Sequence, residues 1–260
     1  MTANQLVRNM QEKQQYHFLP GGYDLEMVTI KTILEQQGIP FSDKQLRWGA
    51  KLSAYADVLN DEDHFVGIEL IEDIGQPKYY TLIDHHNEFA HLNSSLEQVA
   101  ALLYINLDRE KQLIAANDKG YIPAMIALEA TQSEIDEIRQ RDRKAQGVSE
   151  QDEQLAKESI AHYLVRSNEV IIVKSLTPRF STITDRLFPF ENLLIYNETT
   201  LTYYGRNKQM LADHWANMIA KGKAFHGGGD AGYFGFDKGA LSEVELHEKI
   251  GCIIELINKT

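Results

Sequence analysis

Hydrophobic positions along the chain alternate between short β-branched or aromatic runs and longer stretches with helical spacing. Tyr16-His17-Phe18-Leu19-Pro20 reads as a first strand, ended by Gly21-Gly22-Tyr23, because paired glycines permit backbone angles that other residues avoid. Met27 to Leu34 has helical spacing, and Gly38-Ile39-Pro40 closes it. Residues 42–59, centred on Leu46, Trp48, Leu52 and Tyr55, predict another helix. Phe65 to Ile71 reads as a strand with a carboxylate, Glu69, inside it. After a turn at Ile74 to Pro77, Tyr79-Tyr80-Thr81-Leu82-Ile83 forms a second apolar run that stops abruptly at Asp84-His85-His86. Helices follow from Ser94 to Leu103, with serine able to cap, and around Leu113 to Ala116.

Strand–helix alternation over residues 16–125 predicts the α/β class, with a mostly parallel sheet flanked by helices. Residues 1–15 read as a polar helical arm. Residues 131–146 and 149–164 form two charged helices, the second opening on a capping-box pattern at Ser149 and Asp152. Their charge reads as a solvated face, and the pair as a helical linker. Beyond it, strands are predicted at 170–174, 192–197 and 199–206, then a helix around 210–220 and a glycine-rich stretch at 225–236. The last segment, Ser242 to Asn258, is an amphipathic helix with Leu246, Ile250, Ile253, Ile254 and Ile257 on its core face. The expected organisation is a first domain over 1–130, a linker over 131–166 and a smaller α/β domain over 167–260.

Composition changes this picture little: 43% of residues are hydrophobic and 25% charged, as in ordinary globular proteins. No apolar run is long enough to cross a bilayer, and the N-terminus lacks a basic-then-apolar signal pattern, so a cytoplasmic protein with no membrane partner is expected. Cys252 is the only cysteine, which excludes a disulfide framework and a cysteine zinc site. A net charge of −12 argues against duplex nucleic acid as a partner. Residues 166–223 nevertheless hold eight Lys/Arg against five Asp/Glu, an arrangement suited to an anion-binding surface.

Candidate chemistry gathers at the ends of successive elements of the first domain. Asp24 and Glu26 open a helix, where Asp24 also suits an N-cap. Glu69 points into a polar cleft or, on an edge strand, to water. Asp84-His85-His86 ends a strand, the edge at which open α/β sheets bind ligands, and Asp118 closes the helix that follows. Oxygen ligands with a few imidazoles suit Mn²⁺ or Mg²⁺, and converging carboxylates repel unless cations lie between them. In the second domain, Gly227-Gly228-Gly229 leaves backbone N–H groups open to an anion, with His226, Asp230, Arg179 and Arg206 able to add contacts.

The order and spacing of four motifs resemble the DHH phosphoesterases. These are strand-Asp24-x-Glu26-helix, Ile83-Asp84-His85-His86, Ala115-Ala116-Asn117-Asp118 and Gly227-Gly228-Gly229. The resemblance implies that Asp24, Asp84, His85 and Asp118 hold one or two Mn²⁺ or Mg²⁺ ions. It implies that His86 polarises a phosphoryl oxygen or orients the cluster, and that the glycine loop binds the phosphate or nucleotide end of the substrate. The expected activity is metal-dependent hydrolysis of a small phosphorylated substrate: a short oligonucleotide, a nucleotide phosphate or a cyclic dinucleotide. The oligomeric state is open, a homodimer being admissible. The chain departs from the family's pattern in three places. The first motif offers Asp24 and Glu26, or Gly22 and Asp24 with one ligand missing, in place of two aspartates. The acid before Asp-His-His is Glu69, Asp57 or Glu72. Asp230 follows the glycines where a histidine is usual. These departures leave a second reading, a non-hydrolytic nucleotide- or phosphate-binding subunit that partners another enzyme. A metal-free α/β hydrolase is disfavoured, because Ser94-Ser95 lacks the glycines of a nucleophile elbow.

Overall fold

Three short strands carry the first half of the chain: β1 (Tyr16–Pro20), β2 (His64–Ile68) and β3 (Tyr80–Ile83). They pair in parallel in the order β1-β2-β3, with Phe18 opposite Val66 and Ile68 opposite Ile83. Phe18 and Leu19, and likewise Phe65 and Val66, are adjacent residues that are fully buried. Neighbours in a strand face opposite sides, so both faces of this sheet are covered, as parallel sheets require. The computed structural model describes residues 16–228 and 232–259, so the expected N-terminal arm lies outside the described residues. The chain divides into two compact units, Met1–Gly147 and Val148–Thr260.

In the first unit, α1 (Leu25–Gln37) follows β1, α2 (Ser95–Leu102) and α3 (Arg109–Ala127) follow β3, and α4 (Gln132–Ala145) closes the unit. Helix α1 packs against α2, α3 and α4. Ser94 caps α2 in a reciprocal capping box with Glu97. Helix α3 is broken at Gly120 and at Tyr121, which has φ 58°, and Pro123 follows. Proline has no N–H and crowds the preceding turn, so the break leaves Asp118 in the last turn of the first segment.

Two expectations are corrected in this unit. Residues 42–59 form no α-helix, only a 3₁₀ turn at Leu52–Tyr55. Gln45 and Gly49 have positive φ, which breaks helical continuity, and Trp48 is 85% exposed. Leu52 and Tyr55 instead fill the core with Leu19, Phe65 and Leu70. The strand around Glu69 is shorter than expected: β2 ends at Ile68, and Glu69 turns out of it with φ 54°.

The turn after β1 runs close to that exit. A Cβ on Gly21 would lie 2.2 Å from the Ile68 carbonyl oxygen and 2.6 Å from that of Glu69. Gly21→Ala is therefore expected to destabilise the protein by about 1–3 kcal/mol. Gly75→Ala, with nothing within 4 Å of its Cβ, is the control, and chemical denaturation compares the two.

The second unit begins with α5 (Glu150–Tyr163), β4 (Leu164–Ser167) and β5 (Val170–Lys174). It continues with α6 (Ser181–Leu187), β6 (Asn192–Tyr196), β7 (Leu201–Gly205), α7 (Lys208–His214) and α8 (Ala216–Ala220). A hairpin of β8 (Ala224–Gly227) and β9 (Tyr233–Phe236), then α9 (Glu243–Ile257), complete it. The sheet is mixed, in the order β4-β5-β6-β7-β9-β8. The helical pair expected as a linker divides between the units, since α4 packs on α1 and α3 whereas α5 packs on β5 and α6. The stripe of α9 contributes Leu246, Ile253 and Ile257 to the core around Trp215, Phe234 and Phe236.

Candidate metal centre

The carboxyl end of the parallel sheet gathers residues from four segments. His85 follows β3 and is 6% exposed. Its Nε2 lies 2.7 Å from Asp118 Oδ2, 3.5 Å from Glu69 Oε1 and 3.6 Å from Glu26 Oε2. One ligand atom from each of Glu69, His85, His86 and Asp118 falls within 4.8 Å of the others.

Helix ends hold the carboxylates in place. Glu26 Oε1 accepts the Leu96 amide at 3.0 Å, at the positive end of α2. Glu69 Oε1 accepts the Ser95 hydroxyl at 2.7 Å. Asp24 caps α1, its Oδ1 accepting the Met27 amide at 2.8 Å. A Cβ on Gly22 would stand 3.4 Å from Glu69 Oε2 and 3.7 Å from Asp24 Oδ2. Glu69 therefore reaches over the glycine of the first motif. Its rivals sit elsewhere: Asp57 is exposed and paired with Lys44, and Glu72 is exposed.

Asp84 is engaged by its own neighbour, His86. Its Oδ1 accepts the His86 amide at 2.8 Å and lies 3.0 Å from His86 Nδ1. Gln98 donates to the Asp84 carbonyl at 2.9 Å. The His85 and His86 rings lie 4.2 Å apart between centroids. Asp84 thus supports His86, which lies beside Glu69, His85 and Asp118.

Crowding of acids sets the electrostatics. Burial, then Asp118 and Glu69, pushes Asp24 up to about 7. Burial, then Glu26, pushes Asp118 up to about 7, and burial also raises Glu26. Burial opposes a charge on His85, but Asp118, Glu26 and Glu69 outweigh it and push the ring up to about 12. Burial likewise works upward on Asp84, yet the His86 ring and amide hold it below its usual range, and Asp84 in turn raises His86.

These residues fit a divalent cation. Glu26 Oε2, His85 Nε2 and Asp118 Oδ2 are buried with no aligned hydrogen-bond partner. The 2.7 Å approach of His85 to Asp118 thus lacks the alignment of a hydrogen bond. Buried polar atoms are rarely left so, and two carboxylate oxygens beside an imidazole nitrogen are a donor set that suits a divalent cation.

In the second unit, register places the start of the glycine run, Gly227, at one sheet edge. Gly227 pairs with Tyr233, and Tyr233 with Tyr204, just before Gly205 and Arg206. Arg206, His226 and Gly227 therefore share that edge, and Gly228 continues the turn with φ 72°. Lys208 Nζ donates to the Gly227 carbonyl at 3.1 Å and to that of Gly228. Arg179 does not join them. It follows the carboxyl end of β5, whereas Val170 at the other end pairs with Asn192, which pairs with Gly205. The structure puts Arg179 at the opposite edge, beside Asp152. Gly229 and Asp230 lie outside the described residues.

Sequence reasoning missed Ser95, Lys208 and the charged residues of α4. Arg139, Asp142 and Arg143 are buried, which corrects the expectation of a wholly solvated face. Their spacing with Ile135 and Ile138 on one helix face was the available signal.

Two units, with a buried acid–histidine cluster at the end of a parallel sheet in the first and a glycine hairpin in the second, define an α/β architecture with a candidate metal site. No family model and no curated protein matches the sequence. Solved structures do. The pGpG-specific phosphodiesterase PggH from Vibrio cholerae is 13% identical, with a TM-score of 0.51 over 95% of this chain and 99% of that one. The DHH domain of a member of the s1p family of ribosomal proteins is also 13% identical, with a TM-score of 0.53 over 97% of this chain and 88% of that one. The chain has the DHH fold.

Proposed function

We propose that the chain is a metal-dependent phosphoesterase acting on a small nucleotide, with a 5′-phosphorylated linear dinucleotide as the first substrate to test. The observation that carries this reading is the convergence of His85 Nε2, Asp118 Oδ2 and Glu26 Oε2, buried and without aligned partners. The dinucleotide is taken from the specificity in the name of PggH, whose fold this chain shares.

Glu26, Glu69, His85 and Asp118 would hold the cation, Mn²⁺ or Mg²⁺, with the second oxygen of Asp24 and His86 beside them. A bound cation would polarise a phosphoryl oxygen as a Lewis acid and make water more acidic. The protein's own groups do the rest. Asp84 engages Nδ1 of His86, which leaves Nε2 as the ring nitrogen for a substrate. The raised pKa of His86 favours an Nε2–H able to donate to a phosphoryl oxygen. Ser95 and the Leu96 amide each hold one oxygen of Glu69 and Glu26. In the second unit, Gly227, Gly228, Arg206 and His226 provide amides and cationic or polar groups suited to a phosphate, and Lys208 pins the hairpin that carries the glycines.

Incubation of the protein with the dinucleotide and Mn²⁺, followed by chromatography, tests this reading. Mononucleotides are expected with Mn²⁺ and none with EDTA. His86→Ala is expected to lower the rate about 100-fold or more. Tight nucleotide binding with no cleavage of any linear dinucleotide, cyclic dinucleotide or nucleotide phosphate would contradict hydrolysis and favour the binding-subunit reading.

A further inference from the structure

Arg139 and Asp142 of α4 form a buried pair, 7% and 4% exposed, that reaches three points next to the metal cluster. Arg139 Nη1 donates to Asp142 Oδ2 and to Asn117 Oδ1, both at 2.8 Å. Its guanidinium lies 4.6 Å over the ring of Tyr121. Asp142 Oδ1 accepts the Leu25 amide at 3.2 Å, and its Oδ2 also accepts from Gln146 Nε2 at 3.0 Å. Leu25 stands between Asp24 and Glu26, and Asn117 immediately precedes Asp118. Tyr121 occupies the break of α3, with φ 58°.

We propose that the Arg139–Asp142 pair is a positioning device that sets the spacing between the carboxylates at the start of α1 and Asp118 for a divalent cation. The inference rests on the reading of the cluster as a metal site. Its physical basis is that these ligands come from segments far apart in sequence, each at a helix end, where backbone groups lack intrahelical partners. Asp142 takes the Leu25 amide, one of those orphan donors, so Asp24 caps Met27 alone and keeps its second oxygen toward the cluster. Arg139 ties that same carboxylate to Asn117, one residue from Asp118. A buried ion pair adds little stability over apolar residues of similar volume. What this pair adds is register between two ligand-bearing segments, as outer partners do for metal ligands.

The test replaces the pair by apolar residues, Arg139→Met/Asp142→Leu, and measures Mn²⁺ affinity by calorimetry beside the melting temperature of the metal-free protein. The expected result is a melting temperature close to wild type with Mn²⁺ affinity about 10- to 100-fold weaker. Unchanged affinity in the folded double variant would overturn the proposal, as would a lowered melting temperature with unchanged affinity. Should the double variant not fold, Asp142→Asn keeps the side-chain shape while setting its amide against Arg139, and the same two measurements decide. A wild-type protein that binds no Mn²⁺ would instead remove the metal-site reading itself.

Discussion

Asp118→Asn is expected to weaken metal binding severely while making the metal-free protein more stable at pH 8. Asp118 supplies a buried oxygen 2.7 Å from His85 Nε2, and burial with the neighbouring acids raises its pKa to about 7. At pH 8 the folded state therefore carries an ionised group that its surroundings disfavour. Asparagine has nearly the same shape and no charge, so it relieves that cost. The same change removes one anionic ligand and places an amide nitrogen or a neutral oxygen in a donor set built for a cation. Mn²⁺ affinity is expected to fall about 100-fold, at the upper end of what loss of a supporting group produces, and Mn²⁺-dependent turnover should fall with it. Thermal melting in EDTA and Mn²⁺ calorimetry on one preparation check both halves. A variant less stable than wild type at pH 8, or with wild-type Mn²⁺ affinity, would contradict the electrostatic account.

The metal-free protein should also lose stability as pH rises from about 4 to 7. Asp24 and Asp118 have a usual value of 3.8 and sit at about 7 in the folded chain. Between those values the folded state keeps protons that the unfolded state releases. Each retained proton lowers stability by up to about 1.4 kcal/mol per pH unit. His85 acts in the same direction: its usual value is 6.5 and its folded value about 12, so the stability it lends is full below 6.5 and is lost as pH rises toward 12. Acids held low at the surface, such as Glu134 at about 2 beside the Thr131 amide and Arg109, add stability as pH rises toward their usual 4.5 and so touch only the lower end of this window. A cation needs the same carboxylates deprotonated, so Mn²⁺ should raise the melting temperature more at pH 8 than at pH 5.5. A melting temperature that climbs with pH in EDTA, or an equal Mn²⁺ shift at both pH values, would run against this account.

How much of this was legible before the structure differs from residue to residue. Asp84-His85-His86 was readable because an apolar run with strand character ends on it, and strand ends of parallel sheets carry ligands. Which of the three enters the cluster was not readable. Backbone direction after β3 buries His85 and leaves Asp84 to hold His86, a choice that alternation alone does not make. Glu69 was placed inside a strand because its neighbours are apolar, yet its left-handed backbone ends β2 and frees the carboxylate to reach over Gly22. Residues 42–59 have apolar spacing that also suits a helix, but Leu52 and Tyr55 serve a sheet face from a single turn. The α4 pair was hidden for a different reason. Arg139 and Asp142 find Asn117 and Leu25 at separations of 22 and 117 residues, and local pattern cannot tell a solvated charged face from one buried by such partners. In the second unit the glycine run was visible, but its neighbours were set by sheet register, which retained Arg206 and His226 at its edge and sent Arg179 to the other.

The most direct test of the central claim, that the acid–histidine cluster holds a divalent cation, is an anomalous-difference map from crystals of the protein soaked in Mn²⁺ at pH 8. The expected result is a peak within about 2.5 Å of His85 Nε2 and Asp118 Oδ2, in the range of oxygen- and nitrogen-ligated divalent ions. A map with no peak at His85, or with manganese bound only elsewhere on the surface, would contradict it.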